Sequence, residues 1–385
     1  MPSSPADWAG VLCALVVGVN VLSLALAAFR FKPHRPLLNA APDAPGVTLV
    51  RPVCGIETFS EETLRAGFVL DYPDYELIFC IADAHDPIRP MVERLAAEYP
   101  AVPTRIMLGD VRISDNPKLN NCVKGWEEAQ HEWVILADSN VLMPRDYIQR
   151  LFASWRPDTG LVCSTPAGSR PHGFWAEVEC VFLNSLQARW QYVGESFGLG
   201  FAQGKSMLWH RPFLDARGGI RALAAEIAED AASTKLVRAA GRHVHLVNAP
   251  FEQPLGPRSL REIWSRQFRW ARLRRVTFPI FFAPELFTGA VVPMLLGIWW
   301  ALAGGHSPVA VVAAIAGLWY GAEALLTWRM GWPISWRFPA AVLARDLIVP
   351  AMWSAAWIAR DVVWRGNAMS IGTNGATSLA PASAE

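Results

Sequence analysis

Four short stretches carry side chains whose types and spacing suit chemistry on a phosphate-bearing substrate. Leu136-Ala137-Asp138-Ser139-Asn140 sets a carboxylate and an amide oxygen at the end of an apolar run. Such hard oxygens suit Mg2+ or Mn2+, which in turn bind phosphate oxygens. Asp at a strand end is equally a turn residue or helix cap. Ile81-Ala82-Asp83-Ala84-His85-Asp86 is a second acidic turn. Its carboxylate can accept a hydrogen bond from a nucleobase N–H, or cap the chain ahead of Pro87; His85 reads as a surface residue. In Asn116-Pro117-Lys118-Leu119-Asn120-Asn121, Lys118 offers a point charge for a diphosphate. Asn116 suits a helix cap.

Glu226, Glu229 and Asp230 lie among alanines in Ala224-Ala225-Glu226-Ile227-Ala228-Glu229-Asp230-Ala231-Ala232. An acid flanked by small residues can approach a hydroxyl closely and serve as its general base. Taken alone, the same segment reads as an exposed helix face. In Arg266-Gln267-Phe268-Arg269-Trp270, Arg269 and Trp270 follow Arg266 by three and four residues, so a helix sets them on one face. Gly198-Leu199-Gly200-Phe201-Ala202-Gln203-Gly204-Lys205-Ser206 lacks the spacing of a phosphate-binding P-loop, because Leu199 stands where the first glycine belongs. It reads as a glycine-rich loop, a candidate acceptor wall.

The elements that must position these groups alternate. Val47–Val53, Glu76–Ala82, Thr104–Leu108 and Trp133–Ala137 read as short buried strands; Glu61–Leu70, Met91–Glu98 and Lys118–Gln130 read as helices. Strands separated by helices predict parallel pairing through crossovers, an α/β fold. Ligands of such sheets bind just past the carboxyl ends of the strands, where Asp83 and Asp138 fall.

Apolar segments flank this region. Trp8 to Phe29 has no charge, and its 22 residues rise about 33 Å as a helix, enough to span a bilayer. The run is too long for a signal-peptide core and lacks a basic lead-in, so it reads as an uncleaved anchor. Arg30, Lys32, His34 and Arg35 follow it, which places the residues after it in the cytoplasm. Phe278–Leu302, Pro308–Trp328 and Phe338–Ile358 read as further spans, the third carrying Arg345 and Asp346. Intramembrane charges are costly and face protein or water, so that segment reads as a span or a re-entrant stretch. Of 18 tryptophans, 11 lie from Trp264 onward, as expected of side chains that favour the membrane interface.

Net charge is +1, so bulk charge indicates no nucleic-acid partner. The basic character is local: residues 258–275 hold seven arginines and one acid. That stretch reads as a membrane-surface helix with snorkelling arginines. Six scattered cysteines without a CxxC pair argue against a disulfide framework or structural zinc. The expected organisation is an anchor (1–30), a proline-rich linker (31–45), a catalytic domain (46–257), an amphipathic interfacial helix (258–277), membrane helices (278–366) and a loose tail (367–385).

In this order the motifs resemble those of the ceramide glucosyltransferases and their bacterial relatives, including hopanoid-lipid glycosyltransferases, within the GT-A superfamily. The resemblance rests on Cys80-Ile81-Ala82-Asp83, Ala137-Asp138-Ser139-Asn140, Ala228-Glu229-Asp230 and Arg266-Gln267-Phe268-Arg269-Trp270, with Asp71-Tyr72-Pro73-Asp74-Tyr75-Glu76. It covers roughly residues 45–280 and the flanking membrane segments. It implies inverting transfer of a sugar, glucose first, from a UDP-sugar to a lipid hydroxyl, ceramide first. By the same resemblance Asp83 binds uridine, Asp138 helps to hold Mg2+ or Mn2+ on the diphosphate, and Asp230 is the base. Arg266, Arg269 and Trp270 then serve catalysis near the leaving diphosphate and acceptor. Many relatives carry Asp-x-Asp at the metal turn, so Asn140 is a weaker candidate ligand. GlcNAc or galactose as donor sugar, and a hopanoid-type polyol or diacylglycerol as acceptor, stay open. A processive polysaccharide synthase shares the motifs but needs a channel; an inactive membrane scaffold is the non-enzymatic alternative. The expected location is the bacterial inner membrane or its equivalent.

Overall fold

The computed structural model describes residues 4–32, 40–358, 361–364 and 367–370. The linker positions 33–39 and most of the expected tail, 371–385, lie outside the described residues. The chain divides into two compact units, one of residues 29–170 and 187–256, the other of residues 1–28, 171–186 and 257–385.

The first unit is built on a sheet whose strands are β1 Val47–Val53, β2 Tyr75–Ile81, β3 Thr104–Leu108, β4 Trp133–Ala137, β5 Thr159–Cys163, β7 Ser206–His210 and β8 His243–Leu246. A separate ladder pairs β6 Pro166–His172 with β9 Phe251–Pro257. The main sheet runs β3-β2-β1-β4-β7-β5-β8. The first four strands pair parallel, as the alternating pattern predicts. β1 and β2 are buried along their whole length, which is what a covered parallel sheet demands of near-continuous apolar runs. Beyond β4 the sheet departs from expectation: β7 runs antiparallel to both β4 and β5. The later strands β5 to β9 were not anticipated: they follow the alternating strand–helix stretch and include the antiparallel pairings, which that pattern does not predict.

The helix Pro117–Glu127 crosses between β3 and β4 and packs on β1 and β2. Gly125 allows that approach: a Cβ there would stand 2.5 Å from Val50 Cγ1 and 2.8 Å from Cys80 Sγ. Asn116 caps this helix, its side chain accepting from the amides of Lys118 and Leu119. Leu49, Leu77, Phe79, Ile135, Tyr147 and Leu208 form the centre of the core.

The second unit is mainly helical and also holds an antiparallel pair, Asp361–Trp364 with Asn367–Ser370. Pro5–Arg30, Pro308–Arg329 and Phe338–Ile358 are long and apolar enough to cross a membrane. The expected continuous span Phe278–Leu302 is corrected. It breaks into Pro279–Phe282, a 3-10 segment Ala283–Thr288 and the helix Val291–Ala303, with a 57° bend. Pro279 and Pro284 donate no amide hydrogen bond, and the Ala290 amide donates to Asp346 Oδ2 instead of continuing a helix. The 13-residue helix rises about 20 Å, short of a bilayer core.

Phe338–Ile358 is a continuous helix, and its two charges are fully buried. Arg345 grips Glu323 through two bonds, at 2.8 and 3.0 Å, and Asp346 at 2.8 Å. Ser185 accepts from Arg345 at 3.0 Å and donates to Glu323 at 2.9 Å; the Tyr320 hydroxyl donates to Asp346. The charges of this apolar helix are thus paired among the helices of this unit.

Candidate active site

The first unit brings three of the expected site residues together past the carboxyl end of β4. Asp138 follows β4, Lys118 lies in the first turn of Pro117–Glu127, and Asp230 opens the helix Glu229–Ala239. Lys118 Nζ stands 2.7 Å from Asp138 Oδ1 and 2.7 Å from Glu229 Oε1, bridging the two carboxylates. It also donates to the Gly204 carbonyl. Glu229 Oε2 accepts from the Asn116 side chain at 2.6 Å. The other oxygen of Asp138 receives Lys205 Nζ at 2.9 Å, and the same ammonium reaches Asn140 Oδ1 at 3.1 Å.

Each group is held from behind. Arg51, fully buried in β1, donates to the carbonyls of Asp138 and Ser139 and to that of Thr63. Ser206 is fixed by the Tyr147 hydroxyl at 2.8 Å. Gly204 lets Lys118 and Glu229 meet: a Cβ there would lie 2.9 and 2.7 Å from their charged ends. A shallow cleft opens beside this turn, lined by Cys54, Gly55, Phe59, Ser139 and Asn140 among others.

The electrostatics separate two carboxyls. Burial works to raise the Asp138 carboxyl, but Lys118 and Lys205 outweigh it and hold it at about 2. Asp230 is pushed up to about 7, first by enclosure in protein and then by the charge of Glu229. Amide donors at Ala231 and Gly204 and the Lys118 ammonium only partly offset this. One acid therefore stays ionised while its neighbour titrates near neutrality, the pattern that divides electrostatic and acid–base roles.

The expected exposed face at Glu226–Asp230 is corrected: Glu229 is buried and Asp230 partly so, because their partners come from distant elements. The loop at 198–206, expected as a candidate acceptor wall, supplies Gly204 and Lys205 to the charge cluster. Sequence reasoning missed Arg51 and Lys205. A lone arginine inside the buried run Val47–Val53 was the available signal for the first.

Asp83 sits on the turn after β2, mostly exposed, and accepts from the His85 amide at 2.9 Å. This bond comes first among the causes that hold its carboxyl below the usual range. Arg266, Arg269 and Trp270 lie partly buried on the helix Leu260–Thr277 of the second unit. Ser259 and Glu262 form a capping box at its start. Arg266 contacts the fully buried Glu179 at 2.6 Å, and Arg258 approaches the same carboxylate at 3.3 Å. The expectation of surface arginines holds for Arg261, which is exposed, and is corrected for Arg272, which is buried. Arg272 is buried over the Phe268 ring, Arg274 pairs with Glu285 at 2.6 Å and Arg275 donates to the Trp357 carbonyl.

A divalent cation is implied by the resemblance. Among the described residues no group of three or more His, Cys, Asp or Glu side chains could hold a metal ion. However, Asp138 and Asn140 oxygens converge on one cationic point, now the Lys205 ammonium. Mg2+ is commonly held by one or two carboxylates with substrate phosphates and water, so this donor set fits a cation shared with a diphosphate.

A family model described as Glycosyl transferase family 21 matches residues 10–377. Ceramide glucosyltransferase 1 of Caenorhabditis elegans is 24% identical over 367 residues, covering 93% of this chain and 79% of that protein. A ceramide glucosyltransferase of Komagataella phaffii is 33% identical over 150 residues, covering 36% of this chain and 30% of that one. Among solved structures, the mannosyltransferase PcManGT from Pyrobaculum calidifontis, in complex with GDP-Man and Mn2+, matches with a TM-score of 0.52 at 18% identity. The match covers 89% of this chain and 98% of that one. The shared fold is the GT-A fold.

Proposed function

The chain belongs to glycosyl transferase family 21 and is a glycosyltransferase, and on that premise we propose that it transfers glucose from UDP-glucose to the primary hydroxyl of ceramide, with inversion at the anomeric carbon. The observation that carries this reading is the contrast between Asp230 and Asp138 within one cluster, one carboxyl titrating near neutrality and the other locked in ionised form. The named ceramide glucosyltransferases support the lipid acceptor and sugar.

In this reading Asp230 takes the acceptor proton as the hydroxyl oxygen attacks C1, a role worth roughly 10²–10⁴-fold. Lys118 meets the charge that grows on the departing diphosphate. Asp138 and Asn140 would hold a divalent cation, which supplies further neutralisation of the diphosphate when bound. Asp83 accepts from the uracil N–H. Arg266, Arg269 and Trp270 serve the transfer as the family signature implies. The apolar helices anchor the enzyme in the bacterial inner membrane or its equivalent, with the catalytic unit in the cytoplasm. The test is product stereochemistry: from an α-linked UDP-glucose the product resolved by NMR is a β-glucosylceramide. An α-linked product rules out single inversion.

Two further outcomes follow from the cluster. A base must be unprotonated, so kcat/KM rises with pH and reaches half its plateau near pH 7, the value to which Asp230 is raised. Glu229→Gln removes one of the charges that raise it, so the acid limb of the profile moves to lower pH. A limb that stays in place excludes Glu229 as a cause. Gly204→Ala places a methyl against the charged ends of Lys118 and Glu229. Those ends can swing away, so the thermal midpoint stays near wild type while affinity for UDP, read by calorimetry, falls. Unchanged UDP affinity shows that the Lys118–Glu229 contact is dispensable.

A further inference from the structure

Lys205 has no step in the proposed transfer, yet the fold fixes its position. β7 pairs antiparallel with β4 so that Ser206 lies opposite Ala137. Lys205 therefore stands across from Asp138, and the Asp138 amide donates to the Lys205 carbonyl at 3.0 Å. From that fixed backbone the side chain delivers its ammonium to Asp138 Oδ2 and Asn140 Oδ1. These are the same two oxygens that the donor set offers to a divalent cation. Lys118 already occupies Asp138 Oδ1. Each Asp138 oxygen thus carries an ammonium contact.

We propose that Lys205 is a competing counter-ion that makes cation binding at Asp138–Asn140 depend on the arrival of a diphosphate. A divalent ion entering alone must expel Lys205, and the expelled ammonium needs another anion. Glu229 is already engaged by Lys118 and Asn116, one at each oxygen. A nucleoside diphosphate brings that anion with it, and a lysine stem is long and flexible enough to turn from carboxylate to phosphate. The two ligands therefore bind with positive coupling, and by linkage each tightens the other equally. The inference rests on the proposed nucleotide-sugar reaction for its ligand class.

The experiment uses the full chain in detergent micelles and measures Mn2+ affinity by the electron paramagnetic resonance signal of free Mn2+, with and without UDP. In wild type, UDP tightens Mn2+ binding within the usual coupling range of about 5–150-fold. Lys205→Met and Lys205→Gln bind Mn2+ alone more tightly than wild type, and the UDP enhancement shrinks to the part that direct phosphate coordination of the ion supplies. Lys205→Arg, which keeps the charge, retains the enhancement. The proposal is overturned if both neutral variants keep wild-type Mn2+ affinity in the absence of UDP, or keep the full enhancement. UDP that binds wild type normally beside such flat variants removes the Lys205 role alone. Failure of wild type to bind UDP with or without Mn2+ removes the proposed donor as well.

Discussion

Asp230→Asn is expected to lower turnover about 10²–10⁴-fold, the contribution of a well-placed general base, while leaving UDP affinity close to wild type. The amide keeps the shape and the hydrogen bond from the Ala231 amide but cannot take a proton. The same substitution carries a second, independent signature. The folded Asp230 carboxyl titrates at about 7, far above an unfolded aspartate near 4. Its native environment therefore favours the neutral form. That contribution to stability is complete below the unfolded value and is lost as pH rises through the folded one. At pH 8 the ionised group is a burden on the fold, so Asp230→Asn unfolds at or above the wild-type temperature, and at pH 4 the difference shrinks. An inactive variant that is also no less stable distinguishes a sacrificed catalytic group from a damaged fold. Wild-type turnover in Asp230→Asn excludes this residue as the base.

The second large effect is on stability. Arg345→Met leaves Glu323 and Asp346 fully buried without their shared cation. Breaking a buried ion pair in this way costs about 3–5 kcal/mol, because the remaining charges keep their desolvation penalty. The thermal midpoint of the purified protein should drop sharply. The double substitution Glu323→Met with Arg345→Met should lose less than Arg345→Met alone, since it removes a charge of each sign. A drop below about 2 °C for the single variant, equivalent to under roughly 1 kcal/mol, contradicts the role given to this cluster.

Much of the catalytic unit was legible because its strands advertise themselves. Val47–Val53, Thr104–Leu108 and Trp133–Ala137 are apolar runs bounded by turn residues, and their ends fall where the pattern put them. Asp138 could be picked out because it follows a strand that parallel α/β geometry points toward a crevice; Lys118 and Asp230 were read from the residues around them and from the order of the motifs. Lys205 was hidden because its meaning comes from an antiparallel register formed between segments about 70 residues apart. Glu229 looked solvated because its partners, Asn116 and Lys118, lie more than 100 residues upstream. The same limit misled the reading of the basic helix. Arginines can be counted along a sequence, but Glu179 and Glu285, which engage Arg266 and Arg274, cannot be assigned to them by spacing. Hydropathy likewise gave no sign of the break within Phe278–Leu302, where prolines stand and the Ala290 amide donates to the Asp346 carboxylate.

The central claim is that Asp230 deprotonates a lipid hydroxyl so that it takes one sugar from a nucleotide donor. Its most direct test incubates membranes holding either wild type or Asp230→Asn with labelled UDP-glucose and ceramide, followed by mass spectrometry of the extracted lipids. The account expects a monohexosylceramide in the wild-type sample and none above background in the variant. Absence of any hexosylated lipid from wild-type membranes, or equal product from both, contradicts it.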